Sequence, residues 1–337
     1  MQVLPVGQVA EFGYRPGMTA PDTAITIASQ WGETFDGLIR AGRPDLPLLS
    51  LDNAAPWPLP AAAQVLLARP VAPQEIGQPA PVGWPFGLRW VQLVSVGVDF
   101  YPPWLLHTPG LAVSTAHGGS SEVIADFALA HILRVQLRLG ERRVARRSDW
   151  RFVKAPGLAG ATLGLLGFGG IGQALARKAL ALGMAVSALR RSDAPLGLAG
   201  VTRAASLAEL MAGSDHLVLV APGTAETRHV IDSVALAQAK PGLHLVNVAR
   251  GSLIDADALR SALDSGQLGW ASLDVTEPEP LPEGHWLYRH PQVWLTPHTC
   301  AISPQVQQTL AAKVLRSLAL LEAGQAPESL IDLARGY

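Results

Sequence analysis

Three kinds of side chain with the chemistry of carbonyl reduction stand far apart in this sequence, each just beyond a strand-length apolar run. They are Arg250 in Asn247-Val248-Ala249-Arg250-Gly251, the carboxylates of the segment from Asp274 to Glu277-Pro278-Glu279-Pro280, and His298 in Thr296-Pro297-His298. A guanidinium can clamp and polarise a carboxylate-bearing substrate, a carboxylate can orient an imidazole and favour its charged form, and the imidazolium can then donate a proton near neutral pH. Together they suit reduction of a carbonyl on a small anion.

A second signal supplies the reductant. Residues Gly167-Phe168-Gly169-Gly170-Ile171-Gly172 follow an apolar run at 162–166 and open an amphipathic stretch at 171–182, the strand-turn-helix setting that a dinucleotide-binding turn requires. Gly167 permits the tight turn, Gly169 lets the backbone approach a pyrophosphate, and Gly172 allows close packing of helix on strand. Gly170 and Ile171 begin the helix whose free N–H groups face the anion. The next strand, 185–189, ends in Arg190-Arg191-Ser192, where an acid would select the ribose 2′-hydroxyl of NAD. Cationic and hydroxyl donors there favour NADP(H). A register shift would bring Asp193 into play, so NAD(H) stays open, as does a plain solvated strand end.

The elements that must position these groups follow from the apolar pattern. From residue 160 onward, strands at 162–166, 185–189, 217–220, 243–248, 269–274 and 293–296 alternate with helical segments, which implies a parallel sheet with right-handed crossovers. Before residue 100, short apolar runs at 24–28, 46–49, 64–68 and 90–94, with a helix at 35–41, predict a smaller α/β unit, and its proline-rich stretch at 53–60 reads as a loop. A helix over 120–139 carries Val123, Phe127, Ala130 and Leu137 on one side and starts the second unit. The last helix starts with Ser303 as N-cap and Pro304 at its first position, and places Leu310, Val314, Leu318 and Leu321 on one face.

Composition narrows the function classes. The chain has 337 residues, 49% of them hydrophobic, enough for about two domains with buried cores. With 26 Lys+Arg against 27 Asp+Glu, it offers no general attraction to nucleic acid or anionic lipid, despite the basic run at 142–151. That run reads as a solvated or subunit-facing arm. No stretch is apolar for long enough to cross a bilayer, no basic leader opens the chain, and the lysines stand in no Walker motif. One cysteine, Cys300, excludes an internal disulfide, and no Cys or His spacing suits a metal, so the expected location is cytoplasmic and the expected metal content is none.

The segments Ser95-Val96-Gly97-Val98-Asp99, the glycine turn, Ser214-Asp215 leading to Pro222 and Thr227, Asn247 to Gly251, Asp274 to Pro280 and Thr296 to His298 occur in one order. In these the sequence resembles the D-isomer-specific 2-hydroxyacid dehydrogenases, which include glyoxylate and hydroxypyruvate reductases, over roughly residues 90–337. The resemblance implies that Arg250 binds the substrate carboxylate and carbonyl oxygen and that His298 is the acid and base. Its hydrogen-bond partner is Glu279 rather than Glu277, because the family's glutamate stands five residues after the strand-end aspartate and precedes a proline. It implies cofactor contacts at Pro222, Thr227, Val248, Ala249 and Asp274, and backbone N–H groups of Val96 and Gly97 on the substrate. Ser120 could touch the cofactor, although the letters around it depart from the pattern. Arg69, after the run at 64–68, either reaches the substrate or is a surface arginine.

The implied fold is α/β: two doubly wound, Rossmann/flavodoxin-like domains with an active-site cleft between them. A substrate domain of 1–115 plus 302–337 is expected to flank a dinucleotide-binding domain of 116–301, in a homodimer that reduces a small 2-oxo acid such as glyoxylate or hydroxypyruvate. The chain's end soon after the last helix is expected to leave no room for an appended regulatory domain. Two other readings use the same fold: a dinucleotide-sensing corepressor without catalysis, and an oxidoreductase for formate or phosphite. Residues 1–20 match no family element, and Cys300 reads as a buried bystander. The remaining histidines read as structural or surface residues, and Trp286 and Trp294, which flank the approach to His298, either shape the pocket or, more commonly for such residues, pack in the core.

Overall fold

The computed structural model describes residues 25–52 and 57–332. The expected leaderless start, the unmatched segment 1–20 and part of the proline-rich loop at 53–60 lie outside them; its end at 57–60 is irregular. The contacts divide the chain into two compact units. One takes the described residues up to Gly119 and those from Pro304 onward; the other is Ser120–Ser303.

The first unit runs β1 (Ile27–Ser29), α1 (Glu33–Gly42), β2 (Leu48–Ser50), β3 (Val65–Ala68), α2 (Pro73–Ile76), β4 (Trp90–Leu93), α3 (Pro103–Leu106) and β5 (Ala112–Ser114). Its parallel sheet has the order β2-β1-β3-β4-β5. Strands β3 and β4 are buried along their whole length, which is why they read as unbroken apolar runs rather than as alternating ones. The three-residue β5 lies at the sheet's edge and was not anticipated from its pattern.

The second unit runs α4 (Ser121–Gln136), α5 (Leu139–Arg142), β6 (Thr162–Leu166), α6 (Gly170–Ala181), β7 (Ala185–Leu189), β8 (Val201–Arg203), α7 (Leu207–Gly213), β9 (His216–Leu219), α8 (Ser233–Ala237), β10 (Leu243–Asn247), α9 (Ala256–Asp264), β11 (Leu268–Leu273) and β12 (Val293–Leu295). All neighbours in its seven-stranded sheet, β12-β11-β10-β9-β6-β7-β8, are parallel. The chain winds from β6 outward in both directions, so the strand order reverses between β6 and β9, where ligands of doubly wound sheets bind.

Helix α4 corrects the expected stripe. The helix ends at Gln136, two residues before Arg138 turns left-handed at φ 50°, and its buried face is Ile124, Ala125, Ala128, His131 and Ile132, with Phe127 half-buried against the same core, rather than Val123 and Ala130. Small residues at 125 and 128 let α4 lie close on α6, and a reading weighted towards large apolar side chains misses a face built on alanine.

The last helix, α10 (Pro304–Glu322), returns to the first unit. Its Leu310, Val314, Leu318 and Leu321 share a core with Ile27, Phe35, Val65 and Trp90, burying the stripe expected from the sequence.

Candidate functional site

The glycine turn joins β6 to α6. Gly167 sits at φ 101°, and a Cβ there would lie 2.7 Å from the Ala221 nitrogen and 2.8 Å from the Val220 carbonyl, so only glycine fits. Around Gly169 the space is open: an added Cβ meets nothing within 4 Å. The first backbone bond into the helix is Gln173 N–H to the Gly169 carbonyl, and no side chain caps the preceding turn. Gly170 packs against Ser121, where a Cβ would approach the hydroxyl to 2.6 Å, and Ile171 and Gly172 complete the first turn of α6. An uncapped helix start behind a turn too tight for side chains fits a pyrophosphate. The residues present therefore fit a dinucleotide.

Arg190, Arg191 and Ser192 follow β7 at the edge of this turn. Arg203, at the end of β8, donates to the carbonyls of Ser192, at 3.2 Å, and of Ala194. It fixes the loop that carries the two arginines, a role the sequence did not reveal because β8 is a three-residue edge strand. Asp193 is exposed in the same loop.

On the other side of the reversal, the loop after β9 is tied by one hydroxyl. Thr227 Oγ1 donates to the Pro222 carbonyl at 2.7 Å and accepts the Thr224 N–H at 2.8 Å. Gly223 lies against the stem of Arg250, since a Cβ there would be 2.9 Å from Arg250 Cγ. The β9 loop and the segment after β10 thus form one wall.

The segment after β10 is organised by Asn247, fully buried at the strand's end. Its side-chain amide donates to the Arg250 carbonyl at 2.7 Å and its oxygen accepts the Ala249 N–H at 3.0 Å. Val248 is buried, Ala249 half-buried, and Arg250 Nη1 donates to the Ala249 carbonyl at 2.7 Å. Gly251 is obligatory, because a Cβ would fall 2.0 Å from the Thr276 carbonyl carbon. Asn247 is a site residue that sequence reasoning left without a role; its signal was a polar side chain inside an apolar strand.

Asp274, 2% exposed at the end of β11, holds the histidine segment. It accepts the Thr296 hydroxyl at 2.6 Å and the N–H groups of Thr299 and Cys300 at 3.0 Å, and its own carbonyl accepts the His298 N–H at 2.8 Å. Burial pushes its carboxyl up, but the hydrogen bonds from Cys300, Thr296 and Thr299 outweigh burial and keep it below the usual carboxylate range. His298 adopts φ 55°, a left-handed conformation that non-glycine residues take mainly where surrounding bonds impose it.

The His298 Nδ1 lies 2.7 Å from Glu279 Oε1. This hydrogen bond raises the imidazole's pKa above its ordinary value against the opposing pull of burial; nearby Arg250 lowers it and Asp274 raises it, both weakly. Glu277, the competing carboxylate, is held instead by Arg228 at 2.9 Å, with His229 at 3.8 Å. Arg250, Asp274, Glu279 and His298 are thus gathered in the second unit. The Cys300 thiol is buried in the α4–α6 core and its pKa is raised by that burial and by Asp274. Trp294 stacks on the Arg134 guanidinium at 4.0 Å, and Trp286 packs on the β9–β11 side of the sheet. His216 and His244 are buried in a hydrogen-bonded row with Gln136 and Ser272. Burial drives His216 down to about 4, which makes it neutral and structural.

The other three predicted residues belong to the first unit. Arg69 follows β3, half-buried, with its N–H on Gln30 Oε1 at 3.1 Å and Nη1 on the Pro70 carbonyl at 3.0 Å. In the turn after β4, Ser95 Oγ donates to the Gly97 carbonyl at 2.6 Å. The N–H groups of Val96 and Gly97 donate to no group among the described residues. No group of His, Cys, Asp and Glu among the described residues could hold a metal ion, and no helix among them is long and apolar enough to cross a membrane.

Comparison with known proteins agrees with this arrangement. Residues 127–300 match the family model described as D-isomer specific 2-hydroxyacid dehydrogenase, NAD binding domain. Glyoxylate/hydroxypyruvate reductase A of Serratia proteamaculans is 34% identical over 221 residues, 65% of this chain and 70% of that protein. The D-isomer specific 2-hydroxyacid dehydrogenase from Xanthobacter autotrophicus Py2, solved with NADPH and MES, superposes with a TM-score of 0.78 at 27% identity, covering 93% of this chain and 99% of that one. The NADPH-dependent glyoxylate/hydroxypyruvate reductase of Sinorhizobium meliloti, solved with NADP and sulfate, gives a TM-score of 0.77 at 26% identity, covering 94% and 100%. With a glycine turn built for a dinucleotide and a fold shared along nearly the whole chain, this protein belongs to the D-isomer specific 2-hydroxyacid dehydrogenase family and is an NAD(P)-dependent oxidoreductase acting on CH–OH groups.

Proposed function

We propose that this chain is an NADPH-preferring 2-oxoacid reductase that acts on small acids such as glyoxylate and hydroxypyruvate, with His298 as the acid and base. The observation that carries the reading is the 2.7 Å contact of His298 Nδ1 with Glu279, which fixes the tautomer and leaves Nε2 to hold the transferable proton. Arg250 binds the substrate carboxylate and draws electron density from the adjacent carbonyl. The reduced nicotinamide, when bound, supplies the hydride to the carbonyl carbon. His298 gives its Nε2 proton to the carbonyl oxygen, and the product is the 2-hydroxy acid; in oxidation the neutral imidazole takes that proton back. Gly167, Gly169, Gly170, Ile171 and Gly172 receive the pyrophosphate, with Pro222, Thr227, Val248, Ala249 and Asp274 along the rest of the cofactor. From the unit centred on β1–β5, the N–H groups of Val96 and Gly97 and the guanidinium of Arg69 bind the substrate; that unit serves the substrate and Ser120–Ser303 serves the dinucleotide.

The preference for NADPH rests on Arg190, Arg191 and Ser192 standing where an acid would select NAD, in a loop braced by Arg203. Two solved relatives, one bound to NADPH and one to NADP, favour the same choice. The arm after α4 exposes Val144, Trp150 and Phe152 among its arginines, which suits pairing of two copies into a homodimer, and a cytoplasmic location accords with the buried, unpaired Cys300. The test is oxidation of NADPH and NADH with a panel of 2-oxo acids. Turnover with NADPH, lost in His298→Asn with cofactor binding intact, is the expected result. Equal or better turnover with NADH removes the cofactor preference, and unchanged turnover in His298→Asn removes the proton path.

A further inference from the structure

The first sheet has its own reversal of strand order. Chain order runs outward from β1 to β2 on one side and from β3 through β4 to β5 on the other, so the carboxyl ends of β1 and β3 flank a crevice of the kind in which doubly wound sheets bind ligands. A cavity of about 310 Å³ lies there. Gln30, directly after β1, and Arg69, directly after β3, line it together with Glu75, Gln78, Trp57 and Trp104. Small-molecule pockets begin at roughly 300 Å³, more than a two- or three-carbon acid occupies.

The lining specifies what would fill it. Trp57 and Trp104 meet edge to face at 5.9 Å, Trp84 backs Trp104 at 4.6 Å, and the Trp104 indole N–H is pinned on the Gln78 carbonyl at 3.0 Å. These rings form a fixed wall suited to a flat apolar group. Gln30 is only 6% exposed; its oxygen accepts the Arg69 N–H, while its amide N–H groups donate to nothing among the described residues. A donor that faces the cavity without a protein partner can take an acceptor from a ligand. Glu75 adds a carboxylate to the same lining as Arg69, so a second carboxylate on the ligand would gain no net attraction. A hydroxyl, which accepts from Gln30 and donates to Glu75, satisfies both.

We propose that this cavity takes the side chain of the 2-oxo acid, and that the preferred substrate carries a hydroxyl-bearing aromatic ring on C3. The inference rests on the reductase reading above and extends it beyond acids the size of glyoxylate. The experiment compares kcat/KM of the full chain with NADPH for glyoxylate, phenylpyruvate and 4-hydroxyphenylpyruvate, in the wild type, in Gln30→Met and in Gln30→Glu, which keeps an acceptor for the Arg69 N–H. The wild type should favour 4-hydroxyphenylpyruvate over glyoxylate by at least about tenfold, and both variants should lower the ratio of 4-hydroxyphenylpyruvate to phenylpyruvate by about tenfold, the worth of one buried hydrogen bond. Glyoxylate used as well as the aryl acids, with that ratio unmoved in both variants, overturns the inference and leaves the reductase reading standing. If no 2-oxo acid is reduced, the reductase reading fails, and calorimetric titration with 3-(4-hydroxyphenyl)lactate decides the cavity alone. Binding weakened in both variants supports it, and no binding, or equal binding in all three proteins, overturns it.

Discussion

Glu279 Oε1 lies 2.7 Å from His298 Nδ1, while Glu277, the carboxylate nearest to Glu279 in sequence, is held by Arg228 at 2.9 Å. The pairing holds the imidazole's pKa above its ordinary value, so the protonated acid persists to higher pH than an isolated histidine would allow. Reduction should fall as pH rises through that raised pKa. In Glu279→Gln the falling limb of kcat should move to lower pH, and kcat at pH 8 should drop by about 10- to 100-fold, less than the roughly 100- to 10,000-fold that general acid catalysis supplies because the imidazole itself remains. A pH profile of kcat for both proteins checks this, and a falling limb at the same pH in both would dismiss Glu279 as the partner.

The glycine turn separates folding from binding. Gly167→Ala puts a left-handed conformation on alanine and drives its Cβ into the backbone at Val220 and Ala221, so it should cost at least about 1–3 kcal/mol and lower the melting temperature. Gly169→Ala meets nothing in the protein itself and should melt close to the wild type, yet lose NADPH affinity because the added methyl occupies the approach to the pyrophosphate. Thermal melts and NADPH titrations of both variants are the measurements. An unaltered NADPH affinity in Gly169→Ala would place the cofactor elsewhere.

Arg203 acts on cofactor choice through the loop it braces. Removing its bonds to the Ser192 and Ala194 carbonyls loosens the loop that carries Arg190 and Arg191 without touching β7. Arg203→Ala should raise the KM for NADPH about fivefold, as expected for loss of roughly 1 kcal/mol of ordering, while KM for NADH and kcat at saturation hold. An equal rise in both KM values would mean that the loop carries no discrimination.

How far the sequence announced this site depends on where each residue's signal resides. Strands buried on both faces, such as β6 and β10, wrote themselves as apolar runs, and Gly167 to Gly172 stood in the one context that gives such a turn meaning. The three-residue strands β5 and β8 have too few positions for any period, and with β8 went the role of Arg203. Glu277 and Glu279 alternate with prolines and look equivalent as letters. Only the family's spacing after Asp274 favoured Glu279; the physical difference is Arg228, forty-nine positions from Glu277, which holds that carboxylate. Asn247 offered only a polar letter in an apolar strand, and its two bonds to the Ala249–Arg250 backbone exist only in three dimensions.

Lys313 gives a test of the first unit that does not involve catalysis. On α10 it is 4% exposed, and its ammonium donates to the Thr115 and His117 carbonyls at 2.7 and 3.1 Å. Burial lowers its pKa from the ordinary 10.5 to about 8; the charges acting on it, Glu328 and Arg316, pull in opposite directions. Between those two pH values the unfolded chain holds a proton on this amine that the folded chain has lost, so its contribution to stability rises with pH across that window and is constant below it. Lys313→Met removes the titration. The wild-type stability minus that of the variant should therefore be flat from about pH 6 to 7.5 and climb from about pH 8 to 10.5. Other titrating groups cancel in the difference. Denaturant unfolding of both proteins across that range measures it, and a difference that stays level throughout would mean that the buried amine keeps its ordinary affinity for the proton.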